Sequence, residues 1–215
     1  MRGYSILAIG NYGSLAKPAL LKLAPLLEQR DDPLWQIYFE VAQKIDVRAL
    51  THLDALIAAL DASNAITRGE TVLAIQKLGS KGLVAIPELL TLVNDESFDV
   101  KRFLSITLGK LGQRTPEIIY ALNALTRDPD DSVKLGAIYS LALLGENQQG
   151  NLHRLLKFLS HHDPFVRFLS AWAVGEIGSI DRNNTISCLT RALRLEENTR
   201  NKDLMAESIE KIRRC

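Results

Sequence analysis

Residues 163–178 read DPFVRFLSAWAVGEIG, and this stretch decides the fold because a phrase of the same shape stands earlier in the chain, at 130–145, as DDSVKLGAIYSLALLG. Each phrase runs from a turn acid and a base, through small and aliphatic residues, to a Leu-Gly or Ile-Gly ending. The glycines that end such phrases keep one constant interval and are Gly79, Gly112, Gly145 and Gly178. A fixed period of this length is typical of stacked-repeat proteins, whose function usually lies on an extended surface.

The same register extends toward both ends of the chain. Two periods before Gly79 stands Gly13, and a diverged copy lies between them from Pro33 to Ile45. A last copy, slightly displaced from the register, runs from Lys202 to Arg213. We therefore expect one repeat domain over 1–215, with an incomplete first unit at 1–13, the clearest repeats at 50–178 and a diverged last unit at 183–215.

Each repeat is predicted to contain two helices. Spacings of three and four residues mark the first helix of each pair at Ala19–Leu27, Leu50–Leu60, Ile86–Val93, Glu117–Leu125, Leu152–Leu159 and Ile186–Leu195. A Ser, Asp or Pro then opens the second helix, and the repeated glycine suits its end because glycine adopts the left-handed conformation easily. The prediction is an all-α fold, a right-handed α-solenoid of about six helix pairs.

Composition narrows the classes of function. The net charge of +1 disfavours an overall electrostatic fit to nucleic acid or to an anionic membrane. Two cysteines, Cys188 and Cys215, are too few for a disulfide framework and fit a reducing cytosol. Because neither a secretory signal nor a membrane-spanning segment is visible, we expect a cytoplasmic protein without membrane insertion.

The phrases resemble the HEAT-like repeats of the phycobilisome-lyase type. In that family a turn Asp and a basic residue open the second helix, and an Ala-rich run ends in Leu-Gly. The copies that match best are Asp163–Gly178 and Asp131–Gly145, and the match is strong from Ile66 onward. Families built on such repeats include adaptors, bilin lyases and an iron hydroxylase, so the resemblance implies the fold more firmly than the function.

A basic residue recurs at the start of the second helix. This ladder consists of Arg2, Arg68, Lys101, Lys134, Arg167 and Lys202. It could form a row of phosphate contacts, but in the repeats that the chain resembles the base pairs with turn aspartates, here Asp99, Asp131 and Asp163. We favour the structural interpretation.

The second helices carry apolar residues on both sides. Positions one, four and seven before the glycine form a packing stripe, represented by Leu108, Leu141 and Val174. The opposite side should be polar if it merely faces water. It instead holds Tyr4, Leu7, Ile37, Leu73, Phe103, Ile106, Tyr139, Leu143, Leu169 and Trp172. We call this set the inner strip, since the resemblance places second helices on the concave side. It represents either ordinary packing between neighbouring helices or a recognition surface.

The same face carries Lys44, Lys77 and Lys110, which are spaced by the period of the repeat. With the aromatic residues they could take an amphipathic acidic segment or an aromatic ligand with carboxylates. The simpler interpretation is three solvated lysines.

Catalytic motifs are weak. The four histidines do not form the His-Glu pairs of the repeat hydroxylase, which disfavours that enzyme. His161 and His162 fit a solvated turn pair, and Cys188 fits a buried structural thiol. No metal or catalytic residue is predicted.

The leading hypothesis is a non-catalytic scaffold or adaptor that holds a protein partner in the groove and needs no cofactor. The first alternative, which the resemblance implies, is a phycobilin lyase subunit or lyase-like phycobilisome factor that binds an open-chain tetrapyrrole. The second alternative is a nucleic-acid-binding solenoid, disfavoured by the charge. Finally, Arg2–Tyr12 matches a second helix without its first. We therefore expect that a second subunit, a second copy or an upstream segment covers this end, with an assembly contact around Ile6, Ile9 and Ala19–Leu27. The simpler alternative is a frayed first helix.

Overall fold

A computed structural model describes residues 37, 41 and 53–214. Ile37 and Val41 are helical. The remaining described residues form ten α-helices: α1 Leu53–Ala59, α2 Ala65–Lys77, α3 Ile86–Thr91, α4 Phe98–Leu111, α5 Pro116–Leu125, α6 Asp131–Leu143, α7 Gln148–Phe158, α8 Pro164–Ile177, α9 Arg182–Leu195 and α10 Thr199–Arg214. Short 3₁₀ segments lie at Gly79–Ala85, Leu92–Asn94 and Gly178–Asp181, and no strand occurs among the residues described.

The chain divides into two compact units, Met1–Val100 and Lys101–Cys215. In the described part of the first unit, α1 packs on α2, and α3 packs on the adjacent 3₁₀ segment. In the second unit α5 pairs with α6, α7 with α8, and α9 with α10, while successive second helices α6, α8 and α10 also pack on one another. Odd-numbered helices are thus first helices and even-numbered ones are second helices. The predicted all-α solenoid of helix pairs is confirmed.

Helix starts follow from local capping chemistry. The Asp130 carboxylate accepts hydrogen bonds from the Ser132 and Val133 amides at 2.9 and 3.1 Å, which satisfies donors left free at the start of α6. Asp163 caps α8 in the same way, and Pro164 follows as its first residue. Asn64 caps α2 through a 2.9 Å bond from the Ile66 amide. The turn acids predicted from the sequence therefore fix where second helices begin.

The repeated glycines end three second helices as predicted and a fourth in another way. Gly79, Gly112 and Gly145 have φ of 56°, 73° and 86°, the left-handed region that glycine adopts without strain. Gly178 has φ of −67°, so the left-handed prediction is wrong there. A Cβ on Gly178 would lie 2.6 Å from Ile212 Cδ1 and 2.7 Å from Thr185 Cγ2. Close packing between α8, α9 and α10, and not backbone conformation, is what requires glycine at this position.

The predicted packing stripe forms the core. Leu108, Leu141 and Val174 are 0, 3 and 0 % exposed. In the second unit Val174, together with Ile138, Ala171 and Ile177 of the same stripe, joins first-helix residues such as Leu152, Leu155 and Leu189 in one apolar cluster. Each helix pair therefore buries its apolar face against its neighbours, as expected of stacked repeats.

Small residues let α4 and α6 approach closely. A Cβ on Gly109 would lie 2.3 Å from Ser140 Oγ and 2.8 Å from its Cα, and a Cβ on Gly136 would lie 2.3 Å from Ser105 Oγ. The Ser140 hydroxyl donates to the Ser105 carbonyl oxygen at 2.7 Å. The contact therefore involves backbone atoms, which cannot move aside as a flexible side chain can.

We expect Gly109→Ala to lower the free energy of unfolding by about 1 to 2 kcal/mol, because overpacking outweighs the gain in helix propensity. The matched control is Gly150→Ala, since a Cβ there meets only the Asn147 side chain. Urea unfolding followed by circular dichroism measures both variants. An equal gain in stability for both variants would show that the contact between α4 and α6 accommodates an added methyl group without overpacking.

Candidate functional site

Three bases of the ladder, Arg68, Lys101 and Arg167, join their second helix to the repeat that follows it. In the first unit the Arg68 guanidinium donates from Nε to Asp95 Oδ2 at 2.6 Å and from Nη2 to Asp95 Oδ1 at 2.8 Å. In the second unit Lys101 Nζ lies 2.5 Å from Asp128 Oδ2. In both pairs the acid comes from the turn after the next first helix, and its side chain is almost fully buried. The bases thus pair with acids, as in the structural interpretation of the ladder, but the acids of these two pairs are Asp95 and Asp128, and not the aspartates expected from the sequence.

Lys134 has a different environment because His161 occupies the position that Asp95 and Asp128 hold in earlier repeats. Lys134 Nζ instead contacts Asp131 Oδ1 at 2.6 Å, and His161 Nε2 lies 3.0 Å from Asp131 Oδ2. The hydrogen bonds from Lys134 and then from His161 lower the pKa of Asp131. His161 is thus a partner in the ladder, which corrects the prediction of a solvated pair. His162, the next residue of the same turn, is exposed.

Arg167 pairs with the most buried of these acids. Its Nε and Nη2 each donate to Glu196 at 2.7 Å, and the Glu196 side chain is 1 % exposed. Amide donors from Asn198 and Asn201 complete the coordination of that carboxylate. The Arg167 hydrogen bonds, offset in part by burial, lower the pKa of Glu196 to about 2. Of the other ladder positions, Arg2 lies outside the described residues and Lys202 is exposed.

A cavity of about 290 Å³ lies beside this pair. Its lining residues are Leu159, Ser160, His161, Arg167, Ala192, Leu195, Glu196 and Glu197. Arg167 and Glu196 satisfy each other, and His161 is bonded to Asp131. The cavity therefore does not present these charged groups to a ligand.

The inner strip is only partly a surface. Tyr4, Leu7 and Lys44 lie outside the described residues, and Ile37 is half-buried. In the first unit Leu73 is half-buried and Lys77 exposed. In the second unit Phe103, Ile106, Leu169 and Trp172 are half-buried, Lys110 is exposed, and Leu143 is 41 % exposed.

Tyr139 does not line this surface, in contrast to the sequence-based expectation. It is 1 % exposed, and burial together with the charge of Glu176 raises its pKa to about 12. Its ring lies 4.8 Å from that of Trp172, centroid to centroid, in a tilted arrangement. Tyr139 therefore packs against Trp172 in the interior, and the packing interpretation of the inner strip holds at this position.

Two cations of α4 reach across α6 to the aromatic residues of α8. Lys110 Nζ lies 5.1 Å from the centroid of the Trp172 ring, and the Arg102 guanidinium carbon lies 4.9 Å from that of Phe165. Arg102 also lies 4.8 Å from the Phe103 ring. Phe165 itself is 45 % exposed. The second unit thus presents alternating rings and cations along its second helices.

Sequence reasoning missed Arg102, Phe165 and Phe168. The Arg200 guanidinium carbon lies 4.9 Å from the centroid of the Phe168 ring. Arg102 and Phe168 directly precede Phe103 and Leu169 of the inner strip, and Phe165 lies about one turn earlier on α8. An Arg next to a Phe in one repeat and two Phe residues two repeats later could have indicated the contact.

The described residues contain neither a cluster of metal-binding side chains nor a helix that could span a membrane. Within 53–214 no group of three or more His, Cys, Asp or Glu side chains is placed to hold a metal ion. No helix of that range is long and apolar enough to cross a bilayer. Cys188 packs against the apolar cluster of the second unit as predicted, but it is half-buried and not fully buried, with its Sγ 3.7 Å from Asn184 Oδ1.

Stacked helix pairs with an extended second-helix surface define an α-solenoid repeat protein. The family model described as HEAT repeats matches residues 53–142 and 119–210, which together cover most of the chain. The chain belongs to the HEAT repeat family. No match was found among curated proteins.

Two solved structures are similar in fold. An engineered protein is 18 % identical with a TM-score of 0.54, and the match covers 96 % of this chain and 63 % of that one. This chain therefore spans less than two thirds of its length. A designed armadillo repeat protein in complex with the peptide (KR)4 is 21 % identical with a TM-score of 0.52, covering 80 % of this chain and 90 % of that one. Both likenesses concern the fold alone.

Proposed function

We propose that the protein is a non-catalytic scaffold that binds an acidic, amphipathic peptide segment of a partner on the second helices of its second unit. The observation that carries the proposal is the alternation of cations and aromatic rings there. Lys110 covers Trp172, and Arg102 covers Phe165. The designed armadillo protein carries a basic peptide, whereas these side chains call for a partner of the opposite charge.

Relative interaction strengths support this occupant. A cation held over a ring near water gains about 0.5 to 1 kcal/mol. A charge-assisted hydrogen bond to a carboxylate that a bound peptide shields from water contributes about 1.5 to 3 kcal/mol. A partner's carboxylate can therefore draw Lys110 away from Trp172. The uncovered ring face then receives an apolar side chain of the same peptide.

Trp172 is the expected anchor. Truncation of an aromatic anchor at the centre of an interface costs about 2 kcal/mol, or roughly 30-fold in affinity. We therefore expect Trp172→Ala to weaken binding of a labelled twelve-residue peptide of alternating Glu and Phe by that factor. Fluorescence anisotropy measures the affinity, and circular dichroism checks that the helical content is kept.

The matched control is Tyr120→Ala, which removes an aromatic side chain that is 79 % exposed on the first helix α5. It should bind the peptide as the unaltered protein does. Equal binding of a Lys-Phe peptide, or an unchanged affinity of Trp172→Ala, would contradict the proposal. The chromophore-lyase alternative predicts instead a shift in the absorption spectrum of an added bilin.

A further inference from the structure

The cations of the second unit differ between its two sets of helices. Most on second helices have a partner. Lys101, Lys134, Arg167 and Lys211 pair with carboxylates, and Arg102, Lys110 and Arg200 cover aromatic rings. On the first helices α7 and α9, by contrast, Lys157, Arg182, Arg191 and Arg194 make no hydrogen bond or ion pair with any described residue. Arg154 donates only to the neutral Asn151.

Arg154 and Lys157 are three residues apart on α7, and Arg191 and Arg194 are three apart on α9, so the members of each pair share one side of their helix. These four cations, with Arg182 at the start of α9, are here called the basic face. Helices α7 and α9 pack on each other, and Lys157 and Arg191 are each the tenth residue of their helix. All five cations are exposed. Neither helix contains an Asp or Glu, so the like charges repel one another without an internal counter-charge.

Fold stability does not explain this arrangement. Arg182 is the first residue of α9, where the helix dipole disfavours a cation. Of the carboxylates at the ends of α9, Glu196 is bonded to Arg167, Asp181 accepts from Gln149, and the exposed Glu197 forms no ion pair with the arginines of α9. The basic face is therefore left for an external anion.

The total charge of +1, which disfavoured nucleic acid as a ligand, is the sum over two units of opposite net charge. Residues 1–100 hold 9 Lys and Arg against 12 Asp and Glu, a net charge of −3. Residues 101–215 hold 17 against 13, a net charge of +4. The excess of positive charge thus belongs to the second unit, where Lys157, Arg191 and Arg194 are among the cations without an ion pair.

We infer that the basic face binds the phosphate backbone of nucleic acid without sequence specificity. Exposed Asn183, Asn184 and Ser187 lie on α9 among its arginines, and Gln148 and Gln149 begin α7. Such amides and hydroxyls commonly bind phosphate oxygens beside Arg and Lys. A protein partner would instead need an apolar centre, and Leu195 is the exposed large apolar side chain on these two helices. This surface is distinct from the inner strip.

The test measures binding of a fluorescein-labelled 20-base-pair DNA duplex by anisotropy between 50 and 200 mM salt. The logarithm of the affinity should fall with that of salt with a slope of about −3 to −4, since each neutralised phosphate contributes about 0.9. The triple variant Lys157→Glu, Arg191→Glu, Arg194→Glu should bind at least about tenfold more weakly and lose most of that slope.

The control triple variant Lys81→Glu, Lys202→Glu, Arg214→Glu changes the charge equally at exposed residues elsewhere. It should lose much less affinity, and Trp172→Ala should lose none, which separates this site from the peptide strip. An equal loss in both triple variants would overturn the inference. So would equally strong binding of polyglutamate, or binding to phosphatidylserine vesicles without binding to the duplex. If the first triple variant fails to fold, Arg191→Gln with Arg194→Gln tests the same face.

Discussion

Arg167→Met is expected to lower the free energy of unfolding by about 3 to 5 kcal/mol, since removal of one partner leaves a buried charge uncompensated. Glu196, whose side chain is 1 % exposed, would keep its carboxylate without the two guanidinium donors. The backbone carbonyls of His161 and His162 would also lose the Arg167 Nη1 donor that lies 2.9 Å from each. Urea denaturation followed at 222 nm measures the loss.

The matched control is Arg213→Met, because Arg213 and Glu210 form a pair whose side chains are 57 and 54 % exposed. An exposed pair of this kind contributes about 0 to 1 kcal/mol. The double variant Arg167→Met, Glu196→Gln removes both buried charges and should be more stable than Arg167→Met alone. A loss for Arg167→Met no larger than that for Arg213→Met would contradict the structural role of the ladder.

The repeat and its helix pairs could be predicted because they rest on local chemistry. Asp130 and Asp163 cap helices with their own side chains, and Gly112 and Gly145 adopt a conformation that other residues reach with strain. The apolar period marks the core for the same reason, since residues three and four apart share one face of a helix. Such features are visible in a single repeat.

Features that depend on the neighbouring repeat could not be predicted in the same way. Gly178 occupies the same sequence position as Gly145, but Ile212 and Thr185 determine its role. Tyr139 occupies the same position as Trp172, yet it is buried in the apolar cluster of the second unit, where the Trp172 ring lies against it. His161 replaces an acid, and its bond to Asp131 follows from that replacement. The repeat period identifies equivalent positions in different repeats, whereas the exposure of the residue at each position depends on side chains of the neighbouring repeat.

Both proposed surfaces of the second unit follow from the way its cations are distributed. On second helices, ladder bases such as Arg167 find buried acids, and Lys110 and Arg102 find rings. The ring contacts are weak enough to exchange for a ligand carboxylate. On the first helices α7 and α9 the described cations have no such contacts. The two faces therefore differ in the ligand they suit, since only the second-helix face joins charge to exposed aromatic surface.

Acid is expected to weaken the protein through Glu196 over a pH range set by its two pKa values. The folded-state pKa of about 2 lies below the usual 4.5, so the stabilisation is complete above that usual value and is lost as the pH falls toward 2. The full loss is about 3 kcal/mol, of which about 2 kcal/mol is lost by pH 3. Glu196→Gln lacks this titration.

The difference in unfolding free energy between the unaltered protein and Glu196→Gln should therefore shrink by about 2 kcal/mol from pH 6 to pH 3. Carboxylates elsewhere, such as Asp131 with its own lowered pKa, titrate in both proteins and cancel in the comparison. Urea titrations at half-unit pH steps provide the measurement. A difference that stays constant over this range would mean that Arg167 does not hold Glu196 ionised, and the Arg167–Glu196 contact would then stabilise the fold by packing alone.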